Sequence, residues 1–176
     1  LNTAQVLYLL SDDAADTGSV EIQGLDADYN PISEEIDLTG TVAVTTTNSY
    51  LRVYSMIYTG AEAGNAGTIT ARITSSSGTV VAQIEEKLSQ ALMCIYTVPA
   101  GYTAYIMAGD FSVQKAKDAQ ILFMVRPFGK QNFRISHMGE VFESTYRYDF
   151  PIPLPLPEKT DVEGRADNVD NKNTRV

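Results

Sequence analysis

Runs rich in Val, Ile, Thr and Tyr recur along this sequence between short polar turns, and no window of about eleven residues keeps a helical period. The runs are "VEIQGL" (20–25), "ISEEIDL" (32–38), "YLRVYSMIY" (50–58), "TITARIT" (68–74), "TVVAQIE" (79–85), "ALMCIYTV" (91–98), "YTAYIMAGDFSV" (102–113) and "AQILFMVRPF" (119–128). Between them lie "DADYNP", "GAEAGNAG", "SSSG", "PAG" and "QKAKD", which are turn chemistries by residue type. Strands spaced by roughly ten residues with short turns are the pattern of antiparallel sandwiches and jelly rolls. The expected class is all-β, an antiparallel, jelly-roll-like β-sandwich over residues 1–150.

The clearest hairpin is "TITARITSSSGTVVAQIE", two alternating runs around a Ser/Gly turn. Ile69, Ala71 and Ile73 fall on one face and Thr68, Thr70, Arg72 and Thr74 on the other, which gives one dry face and one wet face. In "YTVPAGYTAYIM", Pro99 fixes φ at a second turn and Gly101 is available for a positive φ. After Phe128 the texture becomes charged and aromatic; short strands there continue the sandwich or begin a separate subdomain near Gly129.

Residues 151–157, "PIPLPLP", place proline at every second position. A polyproline helix repeats every three residues, so a repeat of two belongs to an extended strand. Ile152, Leu154 and Leu156 then share one face, and Pro151, Pro153, Pro155 and Pro157 strip N–H donors from one edge only. The segment can pair with one neighbour but cannot template another strand. It is read as an extended edge arm, either an edge strand of the chain's own sheet or an arm reaching a neighbouring subunit. Residues 151–176 are expected to hold this arm and the start of a further strand, with Ile152, Leu154, Leu156, Pro153 and Pro155 as the assembly contact.

The 176 residues suffice for one well-buried domain or two small ones. A net charge of −9 argues against direct contact with nucleic acid or an anionic membrane, both of which call for concentrated Lys and Arg. No stretch approaches the ~20 apolar residues of a membrane-spanning helix. The one cysteine, Cys94, stands in an apolar run, and the expectation is a buried, inert thiol without a disulfide. An apolar run soon after Leu1 and the end "NKNTRV" suggest a piece cut from a longer polypeptide at both ends.

Catalytic chemistry finds few candidates. His137 is the one histidine, and alone in "RISHMGE" it reads as a surface or packing residue. Asp12, Asp13, Asp16, Asp26, Asp28 and Asn30 offer oxygens of the kind calcium takes, but strand flanks and the lack of a closing Glu make them solvated turns. "GAEAGNAGT" lacks the GK[ST] ending of a phosphate cradle and reads as a flexible loop. No metal, cofactor or catalytic residue is assigned. Ten tyrosines without a tryptophan leave a sugar platform as the best ligand hypothesis, with Tyr102 and Tyr105 as its residues.

"GLDADYNPISEEIDLTGTVAVTTTNSYLRVYSM", "GNAGTITARI", "LMCIYTVPAGYTAYIM" and "PIPLPLPEKTDVEGRADNVDNKNTRV", in that order, resemble a group of virion structural proteins of marine tailed bacteriophages, including phages of cyanobacteria. The resemblance runs from about Val6 to the end of the chain. It departs at "DTGSVEIQG", where the group has a longer glycine-rich turn. The resemblance implies a non-enzymatic virion protein, first of all a capsid decoration or cement subunit. It implies a homo-oligomer, a trimer first, contacting the major capsid protein or tail proteins. A carbohydrate-binding β-sandwich module on a tail or fibre is the second expectation.

Overall fold

The computed structural model describes residues 2–113 and 118–168. It is all-β. Among the described residues thirteen strands run in order: β1 (Tyr8–Ser11), β2 (Ser19–Leu25), β3 (Pro31–Asp37), β4 (Val44–Thr45), β5 (Arg52–Thr59), β6 (Ile69–Arg72), β7 (Val80–Ile84), β8 (Ile95–Thr97), β9 (Ala104–Ser112), β10 (Asp118–Arg126), β11 (Arg134–Phe142), β12 (Thr145–Leu156) and β13 (Asp161–Asn168). Every pairing between them is antiparallel. The expected turn "QKAKD" falls mostly, and the expected strand onset at "NKNTRV" wholly, outside the described residues.

The chain forms two compact units, Leu1–Met93 and Cys94–Val176, where the sequence suggested one sandwich to residue 150 and an arm beyond it. The division falls inside the run "ALMCIYTV". Ala91 and Met93 pack against the first core, Val98 belongs to the second, and only Ile95–Thr97 is strand. One apolar run thus serves two cores, which hydropathy alone cannot reveal.

In the first unit a sheet ordered β4-β1-β6-β7 packs on a sheet ordered β3-β2-β5. Alternation decides the inner faces: Leu7, Leu9, Ile69, Ala71 and Ile84 come from one sheet, Val20, Ile22, Val53 and Met56 from the other. The hairpin of β6 and β7 forms as expected, with Ile69 and Ala71 buried, but Thr70, expected on the wet face, is buried as well and Arg72 is half-buried. Four strands facing three give this unit the antiparallel sandwich that strand spacing suggested.

The loop between β5 and β6 is fastened rather than free. Asn65 is buried; its Nδ2 donates to the carbonyls of Gly67 and Glu85 at 2.7 and 2.8 Å, and its Oδ1 accepts from the amide of Ser89 at 2.9 Å. Asp16, 1% exposed, holds the same loop by accepting from the amides of Ala66 and Gly67 at 2.7 and 3.0 Å. It also accepts from the Ser11 hydroxyl at 2.5 Å. Burial pushes the Asp16 carboxyl up, but these three hydrogen bonds together outweigh it and hold the group below its usual 3.8.

A depressed folded value means that the contribution is present above the unfolded value and is lost as pH falls through the folded one. Asp16→Ala strands three donors and is expected to cost about 3 kcal/mol at neutral pH. Urea unfolding of the wild type should weaken as pH drops below the usual aspartate range. Asp16→Asn should be weaker at neutral pH and lose less on acidification. Equal acid sensitivity in both would remove Asp16 from this role.

In the second unit the four-stranded sheet β11-β10-β13-β8 packs on the two-stranded sheet β12-β9. Its core has two parts: Val98, Leu156 and Val162 with Ile106, Phe123, Val125 and Leu154, and Ala119, Ile121 and Val141 with Phe111 and Tyr146.

The proline segment is an edge strand of the chain's own sheet. Leu154, Pro155 and Leu156 stand opposite Ile106, Tyr105 and Ala104 of β9. The ladder shifts between Asp149 and Leu154, so that residues 150–153 bulge opposite Met107. The bulge corrects the expected shared face. Leu156 is 3% exposed, Leu154 half-buried, and Ile152 is 82% exposed.

Candidate functional site

The acidic turns of the first unit are occupied with their own backbone. Asp12 accepts from the Thr68 amide at 2.7 Å and Asp13 from Ala15 at 2.8 Å. One Asp26 oxygen takes the amides of Asp28 and Asn30 at 2.8 and 2.9 Å, and the other takes the Asn30 side chain at 3.1 Å. Asp13 and Asp26 make Asx turns, and Asp12 ties its turn to Thr68 at the approach to β6. No group of three or more His, Cys, Asp or Glu positioned for a metal occurs among the described residues.

The second unit carries the unsatisfied surface. Of sixteen large hydrophobic side chains exposed among the described residues, ten belong to residues 95–152. Tyr105, Met107, Ile135, Met138 and Phe142 fall on the outer faces of its two sheets, whereas Tyr102 and Phe128 belong to turns. On the two-stranded sheet, Tyr105 and Met107 alternate outward along β9 while Ala104 and Ile106 point into the core. Tyr105 stands opposite Pro155, and Ile152 is presented by the bulge opposite Met107. The same sheet ends in a charged cluster, in which Arg147 pairs with Asp110 at 3.0 Å and with Asp149 at 2.8 Å.

The structure therefore separates the residues named from the sequence. Ile152 is available to a partner, whereas Leu154 and Leu156 are spent on the unit's own core. Pro153 is half-buried and Pro155 exposed along the strand. Tyr102 and Tyr105 are 64% and 62% exposed. Tyr102 belongs to the turn that Gly101 allows with φ of +76°, where the Gly101 amide donates to Glu158 at 2.7 Å.

On the four-stranded sheet, Val125 and Val162 point into the core, so their neighbours Arg126 and Asp161 point out. Asp161 accepts from Thr97 at 2.6 Å and from Arg126 Nε and Nη2 at 2.9 and 2.6 Å. The Phe133 ring lies under both Arg126 and Arg165, whose Cζ atoms are 4.6 and 5.6 Å from its centre, and Arg165 pairs with Glu163. Beside this cluster the register sets Leu122 against Met138 and Met124 against Ile135. The result is an apolar stripe over two strands. Sequence reasoning missed it because each strand shows only an ordinary alternation, and the register that joins the two alternations is not written in either.

Between the sheets of the second unit, a cavity of about 220 Å³ is lined by Cys94, Ile106, Phe111, Phe123, His137 and Tyr148 among others. Cys94 is exposed, not buried as its apolar run suggested, because the strand begins only after it. A side chain at Gly164 would run into the Cys94 sulfur, so the close approach there depends on glycine. His137 stacks on Tyr148 with ring centres 3.9 Å apart, and its Nε2 shares a 2.7 Å hydrogen bond with the Tyr146 hydroxyl. These contacts make His137 a packing residue in an aromatic cluster.

Exposed apolar side chains thus flank ion pairs that are already matched. No protein-family model, curated protein or solved structure matches this chain.

Proposed function

We propose that this chain is a non-enzymatic structural protein of a tailed-phage virion, a capsid decoration or cement subunit that works by association with copies of itself and with the major capsid protein. The observation that carries the assembly role is the concentration of exposed apolar side chains in the second unit. Exposed apolar patches of this kind mark protein contacts. The virion setting rests on the order of motifs from "GLDADYNPISE" to "LPEKTD". Quantitative mass spectrometry of purified particles against the major capsid protein tests it. A head protein following icosahedral symmetry should be present in hundreds of copies, and a count on the order of six to eighteen would move it to the tail. Absence from particles would overturn the reading.

A carbohydrate-binding role on a tail is the second reading, favoured by the exposed rings of Tyr102 and Tyr105. A glycan array would then give a saturable signal that Tyr102→Ala and Tyr105→Ala abolish. Silence would leave the assembly reading alone.

A further inference from the structure

We propose that the cavity between the two sheets of the second unit is a binding site for one small, uncharged aromatic molecule of one or two fused rings. The site stands independently of the particle setting proposed above.

The cavity lies where the core of this unit is interrupted. Ile106 and Phe123, on its wall, belong to the part of the core built on Val98, Leu156 and Val162. Phe111, also on its wall, belongs to the part built on Ala119, Ile121 and Val141. One contiguous core is the ordinary result in a single compact unit, and protein interiors leave few voids larger than a water molecule. A gap of about 220 Å³ between two core parts is space for a molecule that joins them.

Small residues keep the space open. Along β9 the wall passes from Ile106 to Phe111 through Ala108 and Gly109, both half-buried, and Gly109 stands opposite Tyr148 of β12. A side chain at Gly109 would press on the Phe111 ring. On the facing sheet Gly164, paired with Phe123, leaves room for the Cys94 sulfur at the wall.

The lining selects the ligand. Phe111, Phe123, His137, Tyr148 and Phe150 all face the cavity, and Tyr148 meets Phe150 edge to face with ring centres 4.8 Å apart. Such rings pack best against further rings, edge to face or offset. Among the described residues the lining carries one carboxylate, Asp110, and Arg147 already pairs with it at 3.0 Å. His137 Nε2 is committed to the Tyr146 hydroxyl. A charged ligand would therefore lose its hydration without gaining a partner. An apolar cavity of roughly 150 Å³ is enough for benzene, so this one admits a substituted single ring or two fused rings.

Indole is the probe. A ligand of about nine heavy atoms should bind with a dissociation constant on the order of 100 µM. Titrating the full chain with indole to about 5 mM should move amide resonances of the lining residues and leave residues 2–93 in place. Cys94 is the chain's one cysteine and is exposed, so its reaction with a thiol reagent reports on the site, and saturating indole should slow it about five-fold. Ala108→Leu, with unchanged circular dichroism, fills the space and should weaken indole binding ten-fold or more. Tyr105→Ala, on the outward face of the same strand, should leave binding unchanged. Indole-3-acetate should bind at least ten-fold more weakly than indole. Neither shifts nor slowed Cys94 reaction at about 5 mM indole would overturn the proposal. So would binding that a folded Ala108→Leu chain retains, or equal binding of the charged and uncharged probes.

Discussion

Arg126→Ala is expected to destabilise the second unit by about 3 kcal/mol, because it leaves the Asp161 carboxylate under cover without its cation. Asp161 is 7% exposed and bridges three strands: Thr97 on β8 donates to one oxygen, and Arg126 on β10 donates twice to the other. Breaking a fully buried pair costs about 3–5 kcal/mol, and the partly exposed Arg126 side chain places this one at the lower end. Arg126→Lys keeps the charge but loses the double contact and the stacking on Phe133, so about half of the loss should return. Equilibrium urea unfolding, with amide exchange reporting on residues 94–168, measures both. A loss below about 1 kcal/mol for Arg126→Ala would reduce the pair to an ordinary surface contact.

Leu156→Ala and Ile152→Ala should differ several-fold, although the two residues belong to one alternating segment. Leu156 packs with Val98 and Val162, and its truncation leaves a cavity expected to cost about 2–4 kcal/mol. Ile152 projects from the bulge, and its truncation should change stability by less than about 0.5 kcal/mol. Similar losses in both would mean that residues 151–156 keep a regular strand without the bulge.

The prolines explain much of this segment. Pro155 permits pairing with β9 while denying the outer edge to another strand, and this one-edge chemistry was readable from the proline spacing. The bulge was not, since it depends on how β9 runs opposite. In the same way the strands β2, β3, β5, β6 and β7 were legible from alternation and turn residues. β13 was not: "DVEGRADN" turns only Val162, Gly164 and Ala166 toward one face and lacks strong β-formers elsewhere. Its place between β10 and β8 comes from tertiary pairing. The boundary at Met93 and Cys94 was hidden for the reason that exposed Cys94, one apolar run shared between two cores.

The candidate surface was legible only in fragments. Ile152 and Tyr105 could be named from spacing and residue type. Met124, Ile135 and Met138 become a surface only once β10 and β11 are in register.

Hydrogen exchange of the full chain at about 1 and about 300 µM tests the division of labour most directly, since protection gained on association reports which backbone becomes covered. Slower exchange at high concentration is expected in peptides from β10 and β11, and no change in residues 2–93. Protection gained in the first unit, or in neither, would contradict it.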